Sequence, residues 1–244
     1  RDAAALSALA ADVTAASIVA RAQALAAAAS PPTGRVVVGG EEVAYDDFGS
    51  GPVLVLLHSL GTSRALWSVV AAQWARQFRV IAIDARGHGA STNRGGYLPD
   101  AVAADVLGVL AALRIDRFAL VGISMGGLTA VRVAAALGPR VTSLVLSSSY
   151  VSAAGPRGEQ RVATVEQMLG RMSMAGFARA YVEQTLAPVT PWAERERIAQ
   201  QIASVSKDDY LQTVRAICRD DIAPLLERVV ARTLILEAQT DLSV

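Results

Sequence analysis

Gly122-Ile123-Ser124-Met125-Gly126 lies between the apolar run Phe118-Ala119-Leu120-Val121 and a helix-forming run from Leu128 to Leu137. The stretch reads as a nucleophile elbow, in which a strand reverses sharply into a helix and a serine sits at a strained backbone position. Small residues two places either side let the chain fold back without a clash. Such a turn holds the Ser124 hydroxyl out toward a substrate. It also aims a helix N-terminus at the same point, so that the Met125 amide and the helix dipole can stabilise an oxyanion.

Upstream, Val53-Leu54-Val55-Leu56-Leu57 is an unbroken apolar run ending in His58-Ser59-Leu60-Gly61-Thr62. Arg79-Val80-Ile81-Ala82-Ile83 then runs into Asp84-Ala85-Arg86-Gly87-His88-Gly89-Ala90-Ser91. Three apolar strands thus each end in a loop of small residues. The alternation predicted from these patterns is strand 53–57, helix 64–76, strand 79–83, helix 99–113, strand 117–121, helix 125–137 and strand 141–147. It implies an α/β fold with a doubly wound, mostly parallel sheet and helices on both faces. Residues 35–48 form two short strands joined by Gly39-Gly40, a hairpin signal.

In this order and spacing the three loops resemble those of the α/β-hydrolase superfamily over roughly Val36 to Asp241. Within it they are most similar to the 3-oxoadipate enol-lactone hydrolases and their esterase relatives. The resemblance implies a hydrolase core over 33–149 and 223–244, interrupted by a helical cap over 150–222. The cap block contains Met168, Met172, Met174, Phe177, Tyr181, Trp192 and Tyr210. Such side chains either pack the cap against itself or line an apolar pocket.

Composition agrees with one large α/β core. The chain has 244 residues, of which 52% are apolar, enough for a single domain of this class. A formal net charge of +1 offers no electrostatic case for a nucleic-acid partner. Lys207 is the only lysine among the basic residues, a genomic bias rather than a binding pattern. Cys218 is the only cysteine, which excludes an internal disulfide and fits a reducing, cytoplasmic compartment. No run of about 20 uncharged apolar residues suggests a membrane span. Residues 1–32 hold an Ala-rich helical pattern over 3–29 that ends at Ser30-Pro31-Pro32. It is expected to be a linker or surface helix, with docking or homo-oligomerisation as the other use. It makes a poor signal peptide.

A triad hydrolase runs Ser, acid, His along the chain. No carboxylate follows the strand ending at Ser147, whereas strand-like Thr233 to Glu237 is followed by Ala238-Gln239-Thr240-Asp241. Asp241 is therefore the expected acid. The family pattern would still require a last strand, a loop with the catalytic histidine and a final helix after Val244. Only His58 and His88 exist, and the resemblance assigns both to other places. The expectation is a fragment whose histidine lies in a complementing C-terminal segment, with a second polypeptide or a non-catalytic binding relative as alternatives.

The activity implied is two-step acyl transfer on a small carboxylic ester or lactone, with Ser124 as nucleophile and the Met125 and Leu60 amides as oxyanion donors. Gly61 widens the turn beside Leu60. Arg64, Trp67, Tyr150, Met172 and Trp192 are the candidate substrate-binding residues, with Arg64 or Arg171 available to a substrate carboxylate. Ser59, Thr62 and Ser63 are read as helix caps, and Asp84, Arg86 and His88 as loop-holding groups. No cofactor and no metal are expected. A perhydrolase or C–C bond hydrolase would use the same triad. Dehalogenases and epoxide hydrolases are disfavoured because they place Asp where this chain has Ser124.

Overall fold

The computed structural model describes residues 33–237. The Ala-rich pattern over 3–29 and the acid candidate Asp241 lie outside that range.

Strand β1 (Thr33–Val38) turns into β2 (Glu41–Gly49) through Gly39 and Gly40, at φ of 56° and 88°. Two consecutive left-handed residues make the tight hairpin turn that matches strand twist, and glycine adopts that conformation without a Cβ penalty. The remaining strands are β3 (Val53–Leu57), β4 (Arg79–Ile83), β5 (Phe118–Ile123), β6 (Val141–Ser147) and β7 (Arg232–Leu236). They join one seven-stranded sheet in the order β1-β2-β4-β3-β5-β6-β7. Pairing from β4 through β7 is parallel, and β1 and β2 are antiparallel.

Register decides where a site can form. Leu57 pairs with both Ile83 and Gly122, Ile123 pairs with Ser147, and Ser147 pairs with Leu236. The loops leaving β3, β4, β5, β6 and β7 therefore emerge along one edge, the carboxyl edge where open α/β sheets place their ligands.

The parallel strands are apolar on both faces because helices cover both. Val55, Leu57, Ile81, Ile83 and Leu120 pack with α2 (Pro99–Ala112) and α3 (Met125–Leu137). Alternate residues Leu54, Leu56, Val80, Ala82 and Val121 pack on the other face, against a 3₁₀ turn (Arg64–Trp67) and α1 (Ser68–Trp74). Burying one such side chain contributes about 1.5–3 kcal/mol. The expected helix over 64–76 is thus a 3₁₀ turn followed by a short α-helix, and β5 extends two residues beyond its expected end into the elbow.

Between β6 and β7 the chain forms α4 (Pro156–Arg171), α5 (Met174–Thr185), α6 (Trp192–Ser204) and α7 (Lys207–Ile217), then the short α8 (Ala223–Leu226). Phe177 and Tyr210 meet edge to face at 5.1 Å between ring centres, fastening α5 to α7. Arg132 of α3 donates to Asp220 at 2.8 Å, below α7, and to Asp100 at 2.9 Å, which ties this helical block to the sheet layer. Beyond it, β7 pairs only with β6 among the described residues and leaves Leu234 and Ile235 55% and 65% exposed.

Candidate active site

Ser124 has φ 51° and ψ −116°, a backbone conformation that costs a non-glycine residue of order 1–3 kcal/mol. Surrounding bonds hold it there. Its amide donates to the Ser147 carbonyl at 2.9 Å, and its carbonyl accepts from the Gly127 amide at 2.8 Å. The Ser149 hydroxyl donates to the same Ser124 carbonyl at 3.1 Å. Ser124 stands at the N-cap of α3, yet its side chain makes no capping bond. The hydroxyl is thereby kept from helix capping at the point where free amides and the helix dipole favour negative charge.

The glycines of the elbow are explained by close approach. A Cβ on Gly122 would lie 2.7 Å from the Gly127 nitrogen, and one on Gly126 would lie 2.7 Å from the His58 carbonyl oxygen. Both distances fall well inside van der Waals contact, so any side chain there would force strand, turn and helix apart.

The loop after β3 brings Leu60 to the same edge, where it is buried along with Met125. Gly61 has φ 74°, and a Cβ on it would lie 2.9 Å from the Tyr210 ring. The helical block therefore roofs this loop. Gln201 of α6 accepts from the Ser63 amide at 3.1 Å, and Arg197 donates to the Ala65 carbonyl at 2.7 Å. Ser63 caps the 3₁₀ turn by accepting from the Ala65 amide at 3.3 Å. Thr62 donates back to the Ser59 carbonyl at 2.8 Å instead.

Both histidines are locked into loop structure. His58 Nδ1 donates to the Ser59 carbonyl at 2.8 Å while its Nε2 accepts from the Ala85 amide at 2.9 Å. With both ring nitrogens used, it has none left for Ser124. His88 Nδ1 donates to the Arg86 carbonyl at 2.8 Å, and its buried Nε2 has no hydrogen-bond partner among the described residues. The rings lie 5.3 Å apart. Burial disfavours the imidazolium and pulls each pKa down to about 4, the neighbouring His58 adding to the effect at His88. Asp84 accepts from the Arg64 amide at 2.7 Å and the Ala90 amide at 2.8 Å, and Arg86 forks onto buried Asp105, with Nη2 to Oδ1 at 2.9 Å.

The structure distributes the other candidates unevenly. Arg64 is engaged by two carboxylates, Asp84 and, at 2.9 Å, Asp46, so its charge is already matched. Trp67 is buried in the apolar cluster on the sheet face opposite α3. Trp192 begins α6 and is 72% exposed. Met172 ends α4 and packs against the main core, and Arg171 is exposed on the last turn. Tyr150 follows Ser149, and its buried hydroxyl has no hydrogen-bond partner among the described residues. Ser149 itself is absent from the candidates drawn from sequence. Its signal is the run Ser147-Ser148-Ser149 directly after β6, matched by a third glycine, Gly127, on which a Cβ would lie 2.7 Å from the Ser149 Cβ.

Residues 52–190 match the family model of the alpha/beta hydrolase fold. The chain belongs to that family. Its members' shared fold accounts for the sheet order and the elbow, and the chain is an enzyme of the hydrolase class. It is 28% identical over 206 residues to 3-oxoadipate enol-lactonase 2 of Acinetobacter baylyi, covering 81% of this chain and 75% of that one. It is 32% identical over 154 residues to N-formylmaleamate deformylase of Pseudomonas putida, covering 59% and 58%. Among solved structures, the enol-lactonase from Burkholderia xenovorans superposes with a TM-score of 0.72 at 27% identity, over 83% of this chain and 80% of the other. No helix among the described residues is long and apolar enough to cross a membrane.

Proposed function

We propose that this hydrolase cleaves small carboxylic esters or lactones by acyl transfer through Ser124. The observation that carries the reading is the strained Ser124 backbone at the head of α3, with its hydroxyl spared from capping. Ser124 Oγ attacks the acyl carbon and forms a tetrahedral oxyanion, to which the amides of Met125 and Leu60 donate. Collapse expels the alcohol and leaves an acyl-serine. Water then attacks that ester and releases the acid.

A hydroxyl is a weak nucleophile at neutral pH, so the reaction needs an imidazole base. Neither His58 nor His88 supplies it, because their nitrogens are committed or sealed within the loops. The base is therefore an imidazole other than these two. Asp241 follows β7, whose last residue, Leu236, pairs with Ser147 beside the elbow. In this reading Asp241 orients the imidazole and stabilises its protonated form. The helices over 150–222 act as the cap beneath which a small ester or lactone sits, and the enzyme works in the cytoplasm. The enol-lactonase and deformylase relatives support a compact acyl substrate.

Fluorophosphonate labelling and p-nitrophenyl acetate hydrolysis test the reading, each with a Ser124→Ala control. Labelling at Ser124 and hydrolysis that disappears in the variant are expected. Hydrolysis that survives Ser124→Ala would overturn the assignment.

A further inference from the structure

A second cleft, of about 330 Å³, opens between α4 and α5. Arg157 and Arg161 stand on one wall, one helical turn apart, while Val165, Met168 and Phe177 form an apolar floor. No carboxylate lines it among the described residues. Neighbouring like charges on a helix repel, so a structure that leaves two arginines together usually compensates them. Several arginines of this chain are matched in that way. Arg64 meets Asp46 and Asp84, Arg86 meets Asp105, Arg132 meets Asp220 and Arg215 meets Glu166. Arg157 and Arg161 have no ion-pair partner among the described residues.

We propose that the α4–α5 cleft binds a monoanionic amphipathic carboxylate, its headgroup paired with Arg157 and Arg161 and its hydrocarbon body laid along Met168 and Phe177. Guanidinium groups recognise carboxylates through paired N–H donors, and the apolar floor selects against inorganic anions, which have nothing to bury. The volume suits a small molecule rather than a peptide. Arg161 is half-buried and its charge also acts on the Tyr150 hydroxyl, which is buried without a hydrogen-bond partner among the described residues. Tyr150 adjoins Ser149, whose hydroxyl donates to the Ser124 carbonyl. The ligand is either the acid portion of the substrate or a separate carboxylate, and the two share this chemistry.

Calorimetric titration with octanoate and its neutral amide tests the site on the full chain. Octanoate is expected to bind at least about tenfold more tightly than octanamide, with the preference lost in Arg161→Gln and largely kept in Arg161→Lys. On the unmutated chain, octanoate but not octanamide should protect Arg161 from phenylglyoxal, read by mass spectrometry. Equal binding of acid and amide, or no protection, would overturn the proposal. Competitive inhibition of ester hydrolysis by octanoate makes the ligand the substrate's own acid. Bound octanoate that leaves hydrolysis unchanged makes it a separate ligand of the same site. Binding is read without turnover, so this site stands or falls independently of ester hydrolysis.

Discussion

Gly126 lies so close beneath the loop after β3 that a Cβ on it would stand 2.7 Å from the carbonyl oxygen of His58. Strand β3, its loop and the head of α3 are therefore in direct backbone contact, and the position of Ser124 relative to Leu60 is set by that contact. Gly126→Ala should force the two apart, with a loss of about 1–3 kcal/mol from overpacking. The measurement is urea denaturation alongside the rate of fluorophosphonate labelling. A variant with wild-type stability and labelling would show that the contact positions nothing.

Ser149→Ala removes a hydroxyl that donates to the Ser124 carbonyl at 3.1 Å and to the Ser147 carbonyl at 3.2 Å. One such bond is worth about 1 kcal/mol in stability. The larger consequence is expected at the elbow, where the Ser124 carbonyl would keep only the Gly127 amide. Labelling of Ser124 should slow by more than the stability change accounts for. Equal losses in both measurements would reduce Ser149 to an ordinary packing residue.

Much of this arrangement was legible in sequence, and the boundary of legibility has physical causes. The short apolar runs 53–57, 80–83 and 118–121, each ending in a loop of small residues, read as strands buried on both faces, so the sheet type followed. The elbow was legible because its glycines are demanded by backbone approach, which leaves a fixed spacing. Side-chain allegiance was not legible. Arg64 and Arg161 look alike in sequence, yet Arg64 is taken up by Asp46 and Asp84, which reach it from β2 and the end of β4, whereas Arg161 faces a cleft lined without acid. Trp67 sits four residues into a loop-to-helix segment whose helical phase alone decides which sheet face it covers. Substitution of a 3₁₀ turn for the expected first α-turn shifts that phase.

Acid should destabilise the protein through its two histidines. Burial lowers the pKa of both His58 and His88 to about 4 from the ordinary 6.5. The unfolded chain therefore binds more protons than the folded one between those values. Stability from this source is complete above about pH 6.5, falls as pH drops toward 4, and falls no further below it, each histidine contributing up to about 1.4 kcal/mol per pH unit across the window. Chemical denaturation at stepped pH should show this slope, reduced in His88→Gln. A flat profile from pH 7 to 4 would contradict the buried, neutral assignment.

Arg132 and Asp220 join α3 to the helical block from positions that are 10% and 7% exposed in their side chains. Deleting one partner of such a pair leaves a buried charge without compensation, at a cost of about 3–5 kcal/mol, whereas replacing both by apolar groups is often close to neutral. Asp220→Ala should thus be strongly destabilising, Arg132→Met similarly so, and the double variant less than the sum. Asp100 also accepts from Arg132, at 2.9 Å, but is largely exposed, so it cannot substitute for Asp220 within the interface. Thermal melts of the two single variants and the double variant form a complete cycle. Additive losses would mean that the pair does not couple the block to α3, and that apolar contacts alone seat the helices over the sheet edge.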